Sequence, residues 1–249
     1  MDERFLKELE LLPVARLYGL ASPPARAEAD RVEAVAAPVE AAAAPVERAR
    51  RAPAALPLEA PAGIETMGWD ALRQAVRECR RCPLCERRKQ AVFGVGSESA
   101  PWLFVGEGPG ADEDEKGEPF VGQAGKLLDG MLAAMKLRRG REVYIANVVK
   151  CRPPGNRVPA PEEAAACAAF LDRQVELLAP KIIVALGKTA ATRLTGSEAS
   201  LGSLRGRVHA YRGIPLVITY HPAYLLRNLP DKAKAWEDLL FARRAFAGS

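Results

Sequence analysis

Trp102-Leu103-Phe104-Val105-Gly106-Glu107-Gly108-Pro109-Gly110 is the stretch from which the fold is read. Its four leading apolar residues form a short continuous run, the signature of a strand buried on both faces. The glycines that follow lack side chains, so the backbone there approaches a ligand closely. A phosphate loop is the obvious assignment, and the next residues oppose it. Asp112-Glu113-Asp114-Glu115 would repel a phosphate unless a metal intervened. No Lys-Ser or Lys-Thr follows the glycines either. The turn therefore reads as a cradle for a neutral, flat or polar group, with acids at hand for proton or water chemistry.

Outward from this stretch, strands and helices alternate. Helical spacing predicts a helix from a Thr66 cap through Trp69, Leu72 and Val76 to Cys79. Further helices are expected over Gly125–Met135, Pro161–Leu178, Lys188–Leu194 and Lys232–Phe246. Strands are expected at Val143–Asn147, Ile182–Leu186, Val208–Tyr211 and Leu216–Thr219, the last two joined as a hairpin through Arg212-Gly213. Continuous apolar strands separated by helices indicate a mostly parallel sheet covered on both faces, an α/β fold. Ligands of such sheets sit beyond the carboxyl ends of the strands. Gly106–Gly110, Asn147–Cys151 and His221-Pro222 all fall there, so three loops should converge on one crevice.

The folded domain is expected over 63–249. Before it, 17 of the 42 residues from 21 to 62 are Ala, 7 are Pro and none is aromatic. Such a tract buries too little surface to offset its chain entropy and reads as a disordered tether. Residues 1–20 carry Phe5, Leu6, Leu9 and Leu12 at helical spacing: a short amphipathic helix that is either a frayed terminus or a docking peptide for another protein. No stretch approaches the roughly 18 apolar residues of a membrane span, and the start lacks the pattern of a secretory signal. Residues 1–60 hold 8 basic and 10 acidic side chains, leaving 28 basic and 21 acidic in the remainder. A basic body fits a polyanionic partner such as nucleic acid, or serves solubility alone.

Five cysteines, unevenly spaced, suit metal or cluster ligation in a reducing cytoplasm better than a disulfide framework. Cys79 and Cys82 form a C-x₂-C pair; Cys151 and Cys167 lie far downstream. A zinc ribbon would repeat the pair, and two histidines supply a mixed zinc site poorly. Four thiolates from separate segments suit a [4Fe–4S] cluster. Cys85 is an alternative to Cys82 at this level.

Taken together, Gly106–Gly110, Gly117-Glu118-Pro119-Phe120-Val121-Gly122, Asn147-Val148-Val149-Lys150-Cys151-Arg152-Pro153-Pro154 and His221-Pro222-Ala223-Tyr224-Leu225-Leu226-Arg227 resemble the family-4 uracil-DNA glycosylases. These are iron–sulfur members of the uracil-DNA glycosylase superfamily. The resemblance runs from about Cys79 to the last helix and leaves out residues 1–62. It implies an α/β/α sandwich, removal of uracil from DNA to start base excision repair, and Cys79, Cys82, Cys151 and Cys167 as cluster ligands. Cys85 matches no ligand position. The inserted histidine-containing loop of crosslinking relatives is absent, so a covalent product is not expected.

The resemblance also assigns roles. Phe120 would stack on a flipped uracil, with Gly108 and the Glu107 backbone beside it. Asn147 would pair with the Watson–Crick edge, its amide donating and accepting together. His221 would donate to the uracil oxygen that gains charge as the bond breaks, whereas His209 reads as structural. Glu107 and Glu113 are the candidates for positioning water, the usual first-motif position being occupied by Gly108. Leu225 or Leu226 would wedge into the DNA stack, with Arg227 on a phosphate. From charge alone, Arg80, Arg81, Arg87, Arg88, Lys89, Lys150, Arg152 and Arg157, close in sequence to the cysteines, read as further phosphate contacts, the alternative being a solvated basic surface. The expected protein is a monomer acting on uracil-containing DNA in the cytoplasm, at the nucleoid. The alternative is a non-catalytic iron–sulfur DNA-binding module tethered to a polymerase or repair complex.

Overall fold

The computed structural model describes residues 63–248. The terminal helix and the Ala/Pro tether expected over 1–62 lie outside the described residues. The elements, in chain order, are α1 (Trp69–Glu78), β1 (Val95–Gly96), β2 (Trp102–Gly106), α2 (Ala111–Lys116), α3 (Gln123–Ala134), β3 (Val143–Asn147), α4 (Pro161–Leu178), β4 (Ile182–Leu186), α5 (Lys188–Thr195), α6 (Leu201–Leu204), β5 (His209–Tyr211), β6 (Ile214–Thr219), α7 (Pro222–Leu225) and α8 (Asp231–Ala247).

One six-stranded sheet runs β1-β3-β2-β4-β6-β5. Its four inner strands are parallel, and the short edge strands β1 and β5 are antiparallel to their neighbours. Every residue of β2, β3 and β4 is buried. The two-residue period sorts them onto opposite faces. Leu103 and Val105 join a core with Val76, Phe170 and Leu171 from α1 and α4. Trp102 and Phe104 join another with Leu128, Leu132 and Leu239 from α3 and α8. The result is a three-layer α/β/α sandwich. Arg212 and Gly213, both with positive φ (51° and 80°), make the tight turn between β5 and β6.

One local expectation fails. Thr66 does not cap α1: its hydroxyl donates to the Gly63 carbonyl at 2.9 Å, and Gly68 occupies the cap. The acidic run 112–115 makes up most of helix α2, capped at Gly110. Carboxylates in a first turn complement the helix dipole, which offsets their mutual repulsion.

β3 lies on one side of β2 and β4 on the other, which makes a switch point where ligands of such sheets bind. Gly106, Asn147, Gly187 and Thr219-Tyr220-His221 all stand at or just past this carboxyl edge.

Candidate active site

Gly106 and Asn147 are register partners at the last rung of β2 and β3. A Cβ on Gly106 would lie 2.5 Å from Asn147 Oδ1 and 2.6 Å from the Phe120 ring. Only glycine therefore lets the amide and the ring meet over the strand end. Phe120 is buried with φ of 55°, a left-handed turn that a phenylalanine rarely adopts. Arg139 holds it there, donating to the Pro119 and Phe120 carbonyls at 2.7 and 2.8 Å. Gly125 packs against the same turn, where a Cβ would fall 1.8 Å from the Phe120 carbonyl oxygen.

Beside Phe120 stands His221, ring centroids 5.5 Å apart. Gly187, just past β4 with φ of 87°, makes room: a Cβ there would lie 2.9 Å from His221 Cβ. His221 caps α7, its Nδ1 accepting from the Ala223 N–H at 3.2 Å. An accepting Nδ1 puts the ring proton on Nε2. Burial lowers the His221 pKa to about 4, against a smaller upward pull from Glu113, so the ring is neutral at pH 7. Phe120, Asn147 and His221, distant in sequence, thus meet around one strand end.

Asn147 Oδ1 is buried and has no hydrogen-bond partner among the described residues. A buried acceptor without a donor costs about 1–3 kcal/mol. Folds keep such an atom where something else satisfies it.

The two acids differ. The Glu113 carboxylate accepts from the N–H groups of Gly110, Val121 and Gly122 at 3.0, 2.9 and 3.1 Å, fastening the Phe120 turn to α2. Glu107 takes the Thr189 hydroxyl from α5 on its carboxylate, and its carbonyl accepts from Val149 N–H at 3.1 Å. Gly108 is close-packed: a Cβ would lie 2.7 Å from Val149.

Of the residues expected to wedge into a stack, Leu225 does not fit, because it is 1% exposed and packs inward. Its neighbour Leu226 is 41% exposed and Leu229, which sequence reasoning missed, 57%. Arg227 is exposed as well.

All five cysteines line one small pocket, walled otherwise by Val76, Ala166 and Phe170 and the cations Arg81, Arg88 and Lys150. All are free thiols. Burial raises the Cys151 pKa to about 11 and that of Cys167 to about 12, and raises that of Cys82 as well. Arg88 donates to Cys151 Sγ at 2.9 Å and the Lys150 N–H to Cys167 Sγ at 3.3 Å. Among the described residues, no three His, Cys, Asp or Glu side chains close around a single metal ion.

This cavity corrects part of the expected phosphate-binding set. Lys150 is 1% exposed, and its ammonium donates to the Asn147 carbonyl and Gln174 Oε1 at 2.9 and 2.6 Å. Arg88 is spent on Cys151 and on the Arg77 and Cys79 carbonyls, and Arg157 on Glu163. Nothing local in the sequence marks Arg139 or Thr189 as partners of the site. Gly187, directly after an apolar strand, carries the same signal as Gly106.

Residues 93–240, which hold β2, Phe120, Asn147 and His221, match the model of the uracil DNA glycosylase superfamily. A type-4 uracil-DNA glycosylase of Thermotoga maritima is 48% identical over 167 residues, 66% of this chain and 86% of that protein. Those of Archaeoglobus fulgidus and Pyrobaculum aerophilum are 44% and 43% identical, over 63% and 70% of this chain and 82% and 92% of theirs. With a family match that spans every loop meeting at the strand ends, this chain belongs to the uracil DNA glycosylase superfamily.

Proposed function

We propose that this chain hydrolyses the N-glycosidic bond of uracil in DNA after swinging the nucleotide out of the stack, the first step of base excision repair. The observation that carries the reading is the unpaired, buried Asn147 Oδ1 beside Phe120. Uracil brings an N3–H to such an acceptor and a neighbouring carbonyl to the amide's donor. Cytosine brings an unprotonated N3 and an amine, leaving like groups opposed, and sites of this kind discriminate by about 10⁴-fold or more. A non-catalytic DNA-binding module has no use for such an atom.

In this reading Phe120 supports the base, and the neutral His221 donates from Nε2 to the oxygen that gains charge as the bond lengthens. A neutral donor suits this work, since it stabilises the anion without first giving up its own proton. Attack on the sugar requires an oriented water. We assign that role to Glu107 and a bracing role to Glu113, whose carboxylate is taken up by three backbone donors. Leu226 and Arg227 would meet the stack and a phosphate.

Cys79, Cys82, Cys151 and Cys167 would hold a [4Fe–4S] cluster. The fit rests on their shared cavity and on the cations Arg81 and Arg88 lining it, which suit anionic thiolates. When bound, the cluster supplies iron–thiolate bonds that fasten the 79–82 turn to the β3 loop and α4; glycosidic hydrolysis needs no electron transfer. Within this proposal 63–249 is the glycosylase domain and 21–62 its tether. The protein would act as a monomer at the nucleoid. None of the helices among the described residues is long and apolar enough to cross a membrane.

The test is direct. The full chain, incubated with an oligonucleotide bearing one uracil and then treated with alkali, should give cleavage at that position and none at cytosine. An intact strand would overturn the proposal.

A further inference from the structure

Arg205, just past α6, lies far in sequence from every residue assigned above, yet it reaches the histidine turn. Its Nε donates to Asp238 Oδ2 at 2.6 Å, in a pair whose side chains are 13% and 4% exposed. A second donor goes to the Lys234 carbonyl at 2.8 Å. With these two bonds to α8, the guanidinium plane is fixed. It lies over the Tyr220 ring, 4.4 Å from the centroid, and also reaches the Tyr220 hydroxyl at 3.3 Å. Tyr220 in turn stacks on Tyr224, centroids 5.2 Å apart and planes within 12°. Tyr224 is tied at its far end to Asp231 at 2.6 Å.

The two tyrosines flank His221 in sequence, and Tyr224 governs the turn on its carboxyl side. Its carbonyl accepts the backbone N–H groups of Arg227 and Asn228 and the Asn228 side-chain amide, each at 3.0 Å. That knot shapes the turn carrying Leu226 and Leu229, two of the few large apolar side chains that stand in solvent among the described residues. Exposed leucines on a rigid turn beside a base-binding cleft suit insertion between bases. Insertion, however, tolerates little misplacement: about 1 Å of error can cost 10²-fold.

We infer that Arg205 is a positioning residue for duplex DNA: anchored on Asp238, it holds the Tyr220–Tyr224 stack so that Leu226 and Leu229 enter the helix at a fixed place. The inference rests on the glycosylase reading and adds to it a determinant of the strand form accepted. A uracil in single-stranded DNA is already unstacked, so it needs no wedge. Loss of the clamp should therefore weigh on duplex substrate alone.

The experiment compares kcat/KM on one uracil-bearing oligonucleotide, single-stranded and annealed, for wild type, Arg205→Met, Arg205→Lys and Tyr224→Phe. Arg205→Met should lose about tenfold or more on the duplex and less than about threefold on the single strand. Arg205→Lys, which keeps a charge for Asp238, should recover part of the duplex rate. Tyr224→Phe keeps the stack and loses only the Asp231 tether, so it should shift the duplex-to-single-strand ratio the same way if Arg205→Met proves too unstable to purify. Equal losses on both strand forms, or none, would overturn the inference while leaving the glycosylase assignment standing. A wild type inactive on both forms would overturn both.

Discussion

The buried ammonium of Lys150 donates to the backbone carbonyl of Asn147 at 2.9 Å, while the Lys150 backbone N–H donates to Cys167 Sγ. One residue thus joins the strand end that carries Asn147 to the cysteine cavity. Gln174 shares the same ammonium and itself bonds the Phe93 carbonyl at 2.9 Å. A cation in this position is costly to bury and is retained only with its acceptors in place. Lys150→Met should orphan two acceptors and cost about 2–4 kcal/mol in urea-melt stability. Excision per folded molecule should drop with it. Stability equal to wild type would show that the ammonium does not hold the strand end.

Asn147→Leu separates function from folding. Leucine keeps the amide's branching and heavy-atom count, with bulkier tips, and removes a buried oxygen that nothing among the described residues satisfies. Uracil excision should fall by about 10²-fold or more, since the site loses both its acceptor and its donor. Thermal stability should hold or rise by about 1 kcal/mol, the reverse of most core substitutions. An equal loss of stability and activity would assign Asn147 to packing instead.

His221 fixes an acid limit on stability. Burial holds its folded pKa near 4, below the unfolded value of 6.5. Between these values the unfolded chain binds a proton that the folded one does not. The stability is therefore fully present above pH 6.5 and lost as pH falls from 6.5 to 4. His221→Gln removes this term. Its urea midpoint, compared with wild type at each pH, should improve steadily from pH 6.5 to 4 and stay parallel above pH 7. Excision by the variant should fall by about 10²-fold, the loss of one charge-stabilising donor. Parallel curves throughout would mean that the imidazole is free to charge in the folded protein.

The cysteine cavity makes a prediction of a different kind. Purified without oxygen, the protein should be brown, with iron and sulfide near four each per chain and absorbance around ~400 nm, as a [4Fe–4S] centre requires. Serine at Cys79, Cys82, Cys151 or Cys167 should bleach it. Cys85→Ser should not, although Cys85 lines the same space. A colour lost with Cys85 and kept without Cys82 would exchange their roles.

Much of this arrangement is legible in the chain itself, because strand interiors have one solution. Ile182-Ile183-Val184-Ala185-Leu186 has no polar residue with which to face water, so layers on both sides follow. Asn147 and His221 stand out as polar groups at the ends of such strands. What hides is whatever depends on the third dimension. Lys150 sits in a basic neighbourhood and reads as surface, yet it is interior because α4 brings Gln174 to it. Leu225 and Leu226 are indistinguishable by type, and only the phase of a four-residue helix turns one inward and the other out. Asp114 belongs to a run that looks solvated, but it is buried and accepts the Lys89 N–H at 3.0 Å.

Gly106→Ala tests the whole constellation with one methyl group. The φ at Gly106 lies outside the left-handed region, so alanine brings no backbone strain there. The added Cβ instead falls within 2.5 Å of Asn147 Oδ1 and 2.6 Å of the Phe120 ring, and one of them must move. Phe120 is held by Arg139 at its carbonyl, and Asn147 by the sheet, so the displacement goes into the two side chains proposed to hold the base. Overpacking of this kind costs about 1–3 kcal/mol, which a domain of this size withstands. The variant should fold and bind DNA nonspecifically, yet excise uracil at least about 10²-fold more slowly. Near-normal turnover would mean that the amide and the ring need not meet for the reaction, and the reading of the strand end as the base pocket would have to be abandoned.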